Sequence, residues 1–157
     1  MIISSHITGQ LHTMLEPHIQ TGGVYIDATA GGGRDTLFLA RHVGAAGKVY
    51  AFDIQGEALA QTRSRLLTHE VAACVELIQD SHAQLDAYVR EPVDGVMFNL
   101  GYLPGGDPTV VTESESTREA LDKALSLVKR GGFISVLCYT GHPGGMDEYE
   151  ALSAYAS

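Results

Sequence analysis

The sequence predicts an α/β protein built on an open, mostly parallel, doubly wound sheet, in a single domain over residues 1–157. Three observations predict it. Short apolar runs rich in β-branched and aromatic residues alternate five times with helical patterns, as parallel strands joined by helical crossovers do. The run "KVYAFDI" (48–54) carries few polar residues, as a strand covered on both faces requires. A glycine triplet (31–33) follows the first strand and opens a helix, at the carboxyl end of the strand where such sheets bind ligands.

Five strands are predicted: "GVYIDA" (23–28), "KVYAFDI" (48–54), "CVELIQ" (74–79), "GVMFNL" (95–100) and "GFISVLCY" (132–139), each bounded by Gly, Asp or Asn. Helices are predicted over 34–43, over 56–67 with Leu59, Leu66 and Leu67 at helical spacing, and over 81–89. A further helix over 115–130 lines up Leu121, Ala124, Leu125 and Val128 and stops at Gly131 and Gly132. A leading helix fits 7–19, kinked or ended by Pro17. The stretch "MDEYEALSAYAS" (146–157) also reads as helical.

With 157 residues, 45% of them apolar and 18% charged, the chain has a globular composition and length for one core. No apolar run is long enough to span a bilayer, and the first residues lack a signal-peptide pattern. Cys74 and Cys138 form no CxxC pair, which suits a reducing cytosol. The expected location is cytoplasmic. The net charge of −9 argues against broad nucleic-acid binding through phosphate neutralisation. A local basic patch among Arg34, Arg41, Arg63, Arg65, Arg118, Lys123, Lys129 and Arg130 stays open. No metal site is expected, because the histidines lack ligand spacing with cysteines or acids.

The glycines in "IDATAGGGRDT" (26–36) point to a cofactor loop, since a plain strand-to-helix turn needs one glycine rather than three. A phosphate loop would need Gly-Lys-Ser/Thr, and Arg34 and Asp35 stand there instead. A dinucleotide fingerprint would need a third glycine where Thr36 stands, and Asp35 would oppose a pyrophosphate. An acid is acceptable beside a ligand that carries a sulfonium and an ammonium group, and S-adenosylmethionine is such a ligand. Its methyltransferases commonly show an acid ahead of a glycine-x-glycine pattern. "DATAGGG" is similar, with Asp27, Gly31 and Gly33 in place and Thr29 at the first glycine position. Asp53, at the end of strand two, can accept both ribose hydroxyl protons. Asp80, at the end of strand three, can accept from the adenine amino group, with Ser81 and His82 beside it. Either acid can also be read as the cap of the helix that follows, and for Asp53 the two roles can hold together.

The acceptor end is read from "FNLGYLPGGDP" (98–108), a loop whose glycines and prolines forbid a helix. Asn99-x-x-Tyr102 is similar to the Asn-Pro-Pro-Tyr motif of methyltransferases acting on amino nitrogens, with Leu100 and Gly101 replacing both prolines. An amide oxygen there accepts from the substrate nitrogen and aims its lone pair, while the aromatic ring stacks on the acceptor. A free amine must lose its proton to attack, and His142, just after strand five, is the candidate proton acceptor. A structural role as a loop donor is its alternative.

Taken in order, "DATAGGGRDTLFLA", "AFDIQGEAL", "DSH", "NLGYLPGGD" and "GHPGG" resemble one family over nearly the whole chain. It is the class I methyltransferases labelled as rRNA methylases and assigned to methylating the aminomethyl group of the tRNA wobble uridine. The resemblance implies a Rossmann-like methyltransferase fold, S-adenosylmethionine as donor and S-adenosylhomocysteine as product. It also implies 5-aminomethyl(-2-thio)uridine at position 34 in the tRNA anticodon stem-loop as acceptor, and a homodimer. By position, Asp27, Thr29, Gly31, Gly33, Asp35, Thr36, Asp53, Gln55, Asp80, Ser81 and His82 match the donor site, with Asn99 and Gly101 adjoining it. Asn99, Gly101, Tyr102 and Leu103 match the reaction centre. His12 resembles a family histidine near the substrate, or is a helix-surface residue.

Two departures stand out. Gly32-Gly33-Arg34 replaces an Asn-Gly-His found often in the family, and Arg34 offers a phosphate or carboxylate contact. The family fold also carries two more strands after the last helix, whereas the sequence stops at Ser157. Strand five is then expected to be an exposed apolar edge, with impaired stability or obligate association as the result. The alternatives are a methyltransferase of the same fold acting on rRNA, a protein amide or a small-molecule amine; a nicotinamide dehydrogenase, against which Asp35 argues; and a donor-binding protein without turnover.

Overall fold

The computed structural model describes residues 7–100, 109–142 and 146–155, with side chains described over 9–100 and 115–137. The strands are β1 (Val24–Asp27), β2 (Lys48–Asp53), β3 (Val75–Gln79), β4 (Val93–Leu100), β5 (Val128–His142) and β6 (Met146–Tyr155). The helices are α1 (Ile7–Leu15), α2 (Arg34–Val43), α3 (Gly56–Thr68), α4 (Leu85–Tyr88) and α5 (Thr109–Leu127). The strands form one sheet in the order β3-β2-β1-β4-β5-β6. β1 to β5 run parallel and β6 runs antiparallel to β5. The chain moves outward from β1 to β3, then returns to place β4 on the other side of β1. The carboxyl ends of β1 and β4 therefore flank the switch point at which ligands of such sheets bind.

Side chains alternate across the pleat, and helices cover both faces. Tyr25, Val49 and Met97 meet Leu11 and Leu15 of α1 and Phe38, Leu39 and Val43 of α2. Ile26, Phe52, Val96 and Phe98 meet Leu85 of α4 and Ala120 and Ala124 of α5 on the other side. Each large side chain buried in this way contributes about 1.5–3 kcal/mol relative to leaving it in water. Two-sided cover explains why β2 reads as an unbroken apolar run. α1 ends at Leu15 and gives way to a 3-10 turn over Glu16–His18 with Pro17 inside it, as the proline predicts. The short helix expected over 81–89 is a 3-10 turn, His82–Gln84, continuing into α4. β5 begins at Val128, so the basic end of the predicted helix belongs to the strand.

The last segment differs from the sequence reading. Residues 146–155 form a strand rather than a helix, paired with β5 from Phe133↔Tyr155 to His142↔Met146. Ala, Glu and Leu favour a helix locally, and the segment lacks a clean period of two. The open row of N–H and C=O groups along β5 overrides that preference by pairing. The edge expected to be exposed on β5 is thus covered, and the outer edge belongs to β6.

Gly95 shows how tightly β4 packs on β5. A Cβ at this position would lie 2.6 Å from the Phe133 ring, which is itself buried against Tyr25. Gly95→Ala is expected to cost about 1–3 kcal/mol through overpacking, read as a lower denaturant midpoint with an unchanged slope. An unchanged midpoint would mean that the ring moves aside freely.

Candidate active site

The site starts from a buried carboxylate. Asp27 closes β1 with no exposure. Its Oδ2 accepts from the Thr36 hydroxyl at 2.6 Å and its Oδ1 from the Thr29 N–H at 3.1 Å. The end of β1 is thereby tied to the first turn of α2, and the residues between must fold into a tight loop. Gly31 and Gly33 take positive φ, 52° and 90°, which glycine adopts without strain. A Cβ on Gly33 would also lie 2.9 Å from the Thr62 Cα.

Neighbouring elements pin this loop. Ala28 N–H donates to Met97 O and Ala30 N–H to Phe52 O, both at 2.9 Å. Gly31 N–H donates to Asp53 Oδ2 at 2.9 Å. From α3, Arg65 Nε donates to Gly32 O at 2.8 Å, and the Thr62 hydroxyl lies 3.0 Å from Gly31 O. Sequence reading missed Thr62, and named Arg65 only for a basic patch rather than for its bond to the loop. Both sit inside a helical pattern, and no sequence signal says what faces them.

Asp53 carries a second bond, Oδ1 accepting from Gln55 N–H at 2.9 Å. The N-cap of α3 is Gln55, so Asp53 is not the helix cap, and each of its oxygens retains a lone pair for a further donor. Ser81, rather than Asp80, caps the turn after β3, its hydroxyl accepting from Ala83 N–H at 3.1 Å. Asp80 accepts from Ser81 N–H at 2.7 Å and from the Tyr88 hydroxyl at 2.6 Å. These two bonds, Tyr88 first, hold its carboxyl below the ordinary range.

His82 turns inward. Its Nδ1–H donates to Ala28 O at 3.1 Å and its ring stands edge-on to Phe98. Burial pushes its pKa down, so it is a neutral strut behind the loop. His12 reaches the site from α1: Nε2–H donates to Asp35 Oδ1 at 2.6 Å, and the ring stacks on Phe38 with centroids 4.1 Å apart. It is thus attached to Asp35 rather than standing on a bare helix surface.

These contacts leave a cleft of about 270 Å³, lined by Thr29, Ala30, Gly31, Gly32, Arg34, Asp35 and Asn99. Asn99, near the end of β4, donates its N–H to the Thr29 hydroxyl at 2.6 Å. The structure therefore joins Thr29, Gly31, Arg34, Asp35 and Asn99 in one opening, backed by Asp27, Gly33 and Thr36. Asp53 and Gln55 lie beside it, and Asp80 and Ser81 at the next strand end. Gly101, Tyr102 and Leu103 lie outside the described residues. Leu137 is the register partner of Asn99 on β5, and His142 is five residues further along that strand, about 16 Å at the usual rise. The structure does not bring His142 and Asn99 together. Of the basic residues singled out, Lys123 pairs with Asp86 at 3.1 Å and Lys129 with Asp94 at 3.4 Å, whereas Arg34 stands exposed on the cleft.

A profile described as "Putative rRNA methylase" matches residues 49–157. The chain belongs to this family. A chloroplastic tRNA (mnm(5)s(2)U34)-methyltransferase from Arabidopsis thaliana is 43% identical over 93% of the chain, which spans 57% of that relative's length. A family member of known structure from Clostridium thermocellum is 43% identical, with a TM-score of 0.79 over 90% of this chain and 75% of that one. A Streptococcus mutans protein, described as a methyltransferase and solved in complex with SAH, is 38% identical with a TM-score of 0.74 over 88% of this chain and 74% of that one. These likenesses agree with the Rossmann-like methyltransferase fold that the sequence predicts. Among the described residues no helix is long and apolar enough to cross a membrane.

Burial, then the charge of Asp35, raises the Asp27 carboxyl from an ordinary 3.8 to about 7. Between those values the folded chain holds a proton that the unfolded chain has lost. Stability therefore falls as pH rises through this window and levels off above it. Asp27→Asn is expected to flatten that slope. Denaturant midpoints measured from pH 4 to 8 check it, and parallel profiles for the two proteins would show that Asp27 titrates normally.

Proposed function

We propose that the chain is an S-adenosylmethionine-dependent methyltransferase acting on the amino nitrogen of 5-aminomethyl(-2-thio)uridine at tRNA position 34. The observation that carries this reading is the single cleft that joins an acid-bearing glycine loop to Asn99. The residues present fit the donor. Asp35 opposes a diphosphate but accepts from an ammonium group, and a Cβ on Gly32 would find nothing nearer than 4.0 Å, open space for close approach to the backbone. The named activity of the Arabidopsis relative supports the acceptor class.

S-adenosylmethionine, when bound, supplies an electrophilic methyl group on a sulfonium. Asp53 accepts from the ribose hydroxyls with the lone pairs left by Gly31 and Gln55. Asp80 accepts from the adenine amino group. Asp35, braced by His12, takes the ammonium end. Thr29 holds the Asn99 backbone, and the Asn99 amide orients the acceptor nitrogen, with Gly101, Tyr102 and Leu103 contacting the acceptor. Transfer is an in-line displacement, so alignment supplies much of the rate. His142, the proton acceptor expected from the sequence, stands too far along β5 from Asn99 to serve the same amine and takes no part in the transfer. Arg34, at the cleft mouth, pairs with an RNA phosphate of the anticodon stem-loop. The proposed assembly is a homodimer in the cytoplasm.

The deciding experiment is mass spectrometry of nucleosides from aminomethyl-bearing tRNA incubated with the chain and S-adenosylmethionine. Conversion to 5-methylaminomethyluridine is expected. Donor binding without conversion would leave rRNA or a small amine as acceptor, or a protein that binds the donor without turnover.

Three variants divide the roles. Asn99→Ala is expected to lower kcat about 10²-fold with donor affinity held, the usual cost of misalignment. Arg34→Ala is expected to raise KM for tRNA while kcat stays, read in steady-state kinetics. His142→Ala is expected to leave the basic-group limb of the pH–rate profile in place, since His142 stands well away from Asn99. Loss of that limb would return His142 to the mechanism.

A further inference from the structure

Two large side chains stand exposed near the ends of β2 and β3: Ile54, just after β2, at 62%, and Tyr88, the last residue of α4, at 43%. Asp53 is in register with Gln79, so Ile54 and Asp80 are the next residues along their strands. An apolar side chain beside a carboxylate is the chemistry that takes a purine by its face and its amino edge. Tyr88 acts on that carboxylate directly. Its hydroxyl donates to Asp80 Oδ2 at 2.6 Å, while Ser81 N–H donates to Oδ1 at 2.7 Å. Ser81 alone would fix one oxygen and leave the group free to swing. Tyr88 fixes the other. The Tyr88 ring is itself held edge-on to buried Phe52, with centroids 5.8 Å apart and planes at 73°, so the hydroxyl is aimed by packing.

We propose that Tyr88 is a positioning residue that sets the base specificity of the donor site, holding Asp80 as an oriented acceptor for the exocyclic amino group of adenine. The inference rests on the donor reading given above. Each carboxylate oxygen keeps a second lone pair, so Tyr88 and the amino group share Asp80 rather than compete for it. The Tyr88 bond is also the larger cause holding the Asp80 carboxyl below its ordinary range, and a carboxylate that stays ionised only accepts. A 6-amino purine donates to it. A 6-oxo purine turns lone pairs toward it and is rejected, as sites built around one hydrogen-bond polarity reject the opposite one.

The test is calorimetric titration of S-adenosylhomocysteine and S-inosylhomocysteine into the full chain and into Tyr88→Phe, which keeps the ring against Phe52. The wild type is expected to favour the adenosyl ligand by about tenfold or more, the scale of a hydrogen bond to a charged group. Tyr88→Phe is expected to narrow that ratio to about two- or threefold, mainly by weakening the adenosyl ligand. A ratio that stays or rises in Tyr88→Phe overturns the proposal, as does weakening of both ligands by one factor, which a merely structural role would produce. A wild type that binds both ligands equally overturns it too, with the donor reading intact. Failure of the wild type to bind S-adenosylhomocysteine at all would bring down the donor reading itself, and this inference with it.

Discussion

The hydrogen bond between Asp27 and Thr36, 2.6 Å long and closed to solvent, fixes the geometry on which the rest of the site depends. It joins the last residue of β1 to the first turn of α2. Eight residues lie between its ends, and they have nowhere to go but into a loop folded back over the strand ends. Left-handed glycines allow that path, and the bonds from Asp53, Thr62 and Arg65 hold it. Without the clamp, α2 would have no fixed starting point on the sheet. Asp35, one residue ahead of Thr36, would have no fixed position over the cleft.

The clamp has an electrostatic cost. A carboxyl without exposure resists ionisation, and a second carboxylate, Asp35, stands close enough to raise its pKa further. The chain answers with donors rather than with a buried cation. Thr36 and the Thr29 N–H stabilise the charged form of Asp27, and His12 is bonded to Asp35 from outside. Asp35 leaves a carboxylate at the glycine loop itself, which suits a ligand's ammonium group better than a diphosphate, while Arg34 stands on the same cleft as its cationic counterpart.

Much of this was legible in the sequence because strand ends carry distinctive residues. Asp27, Asp53, Asp80 and Asn99 each follow an apolar run, and the structure sets all four along the carboxyl ends of four neighbouring strands. The triplet 31–33 was legible as a loop because glycine has few other uses in such numbers. What stayed hidden depends on contacts between distant segments. Thr62 and Arg65 look like ordinary members of α3 until the loop is laid against them. Tyr88 looks like a surface aromatic until its hydroxyl is found on Asp80. Which residue caps each turn was open for the same reason, since Ser81 and Asp80 are equally plausible caps by type. β6 was misread because local composition favours a helix, whereas the decisive term was backbone pairing with a strand formed elsewhere in the chain.

The bond from Asn99 N–H to the Thr29 hydroxyl is small but spans the switch point. β1 and β4 are neighbours in the sheet, and the end of each lines its own half of the cleft, through Thr29 on one side and Asn99 on the other. Strand ends fluctuate, and two independent ends would let the gap between those halves vary from moment to moment. A hydroxyl shared across the divide makes the two halves move in step. The cleft is then held against thermal jitter along the line where the two strand ends meet.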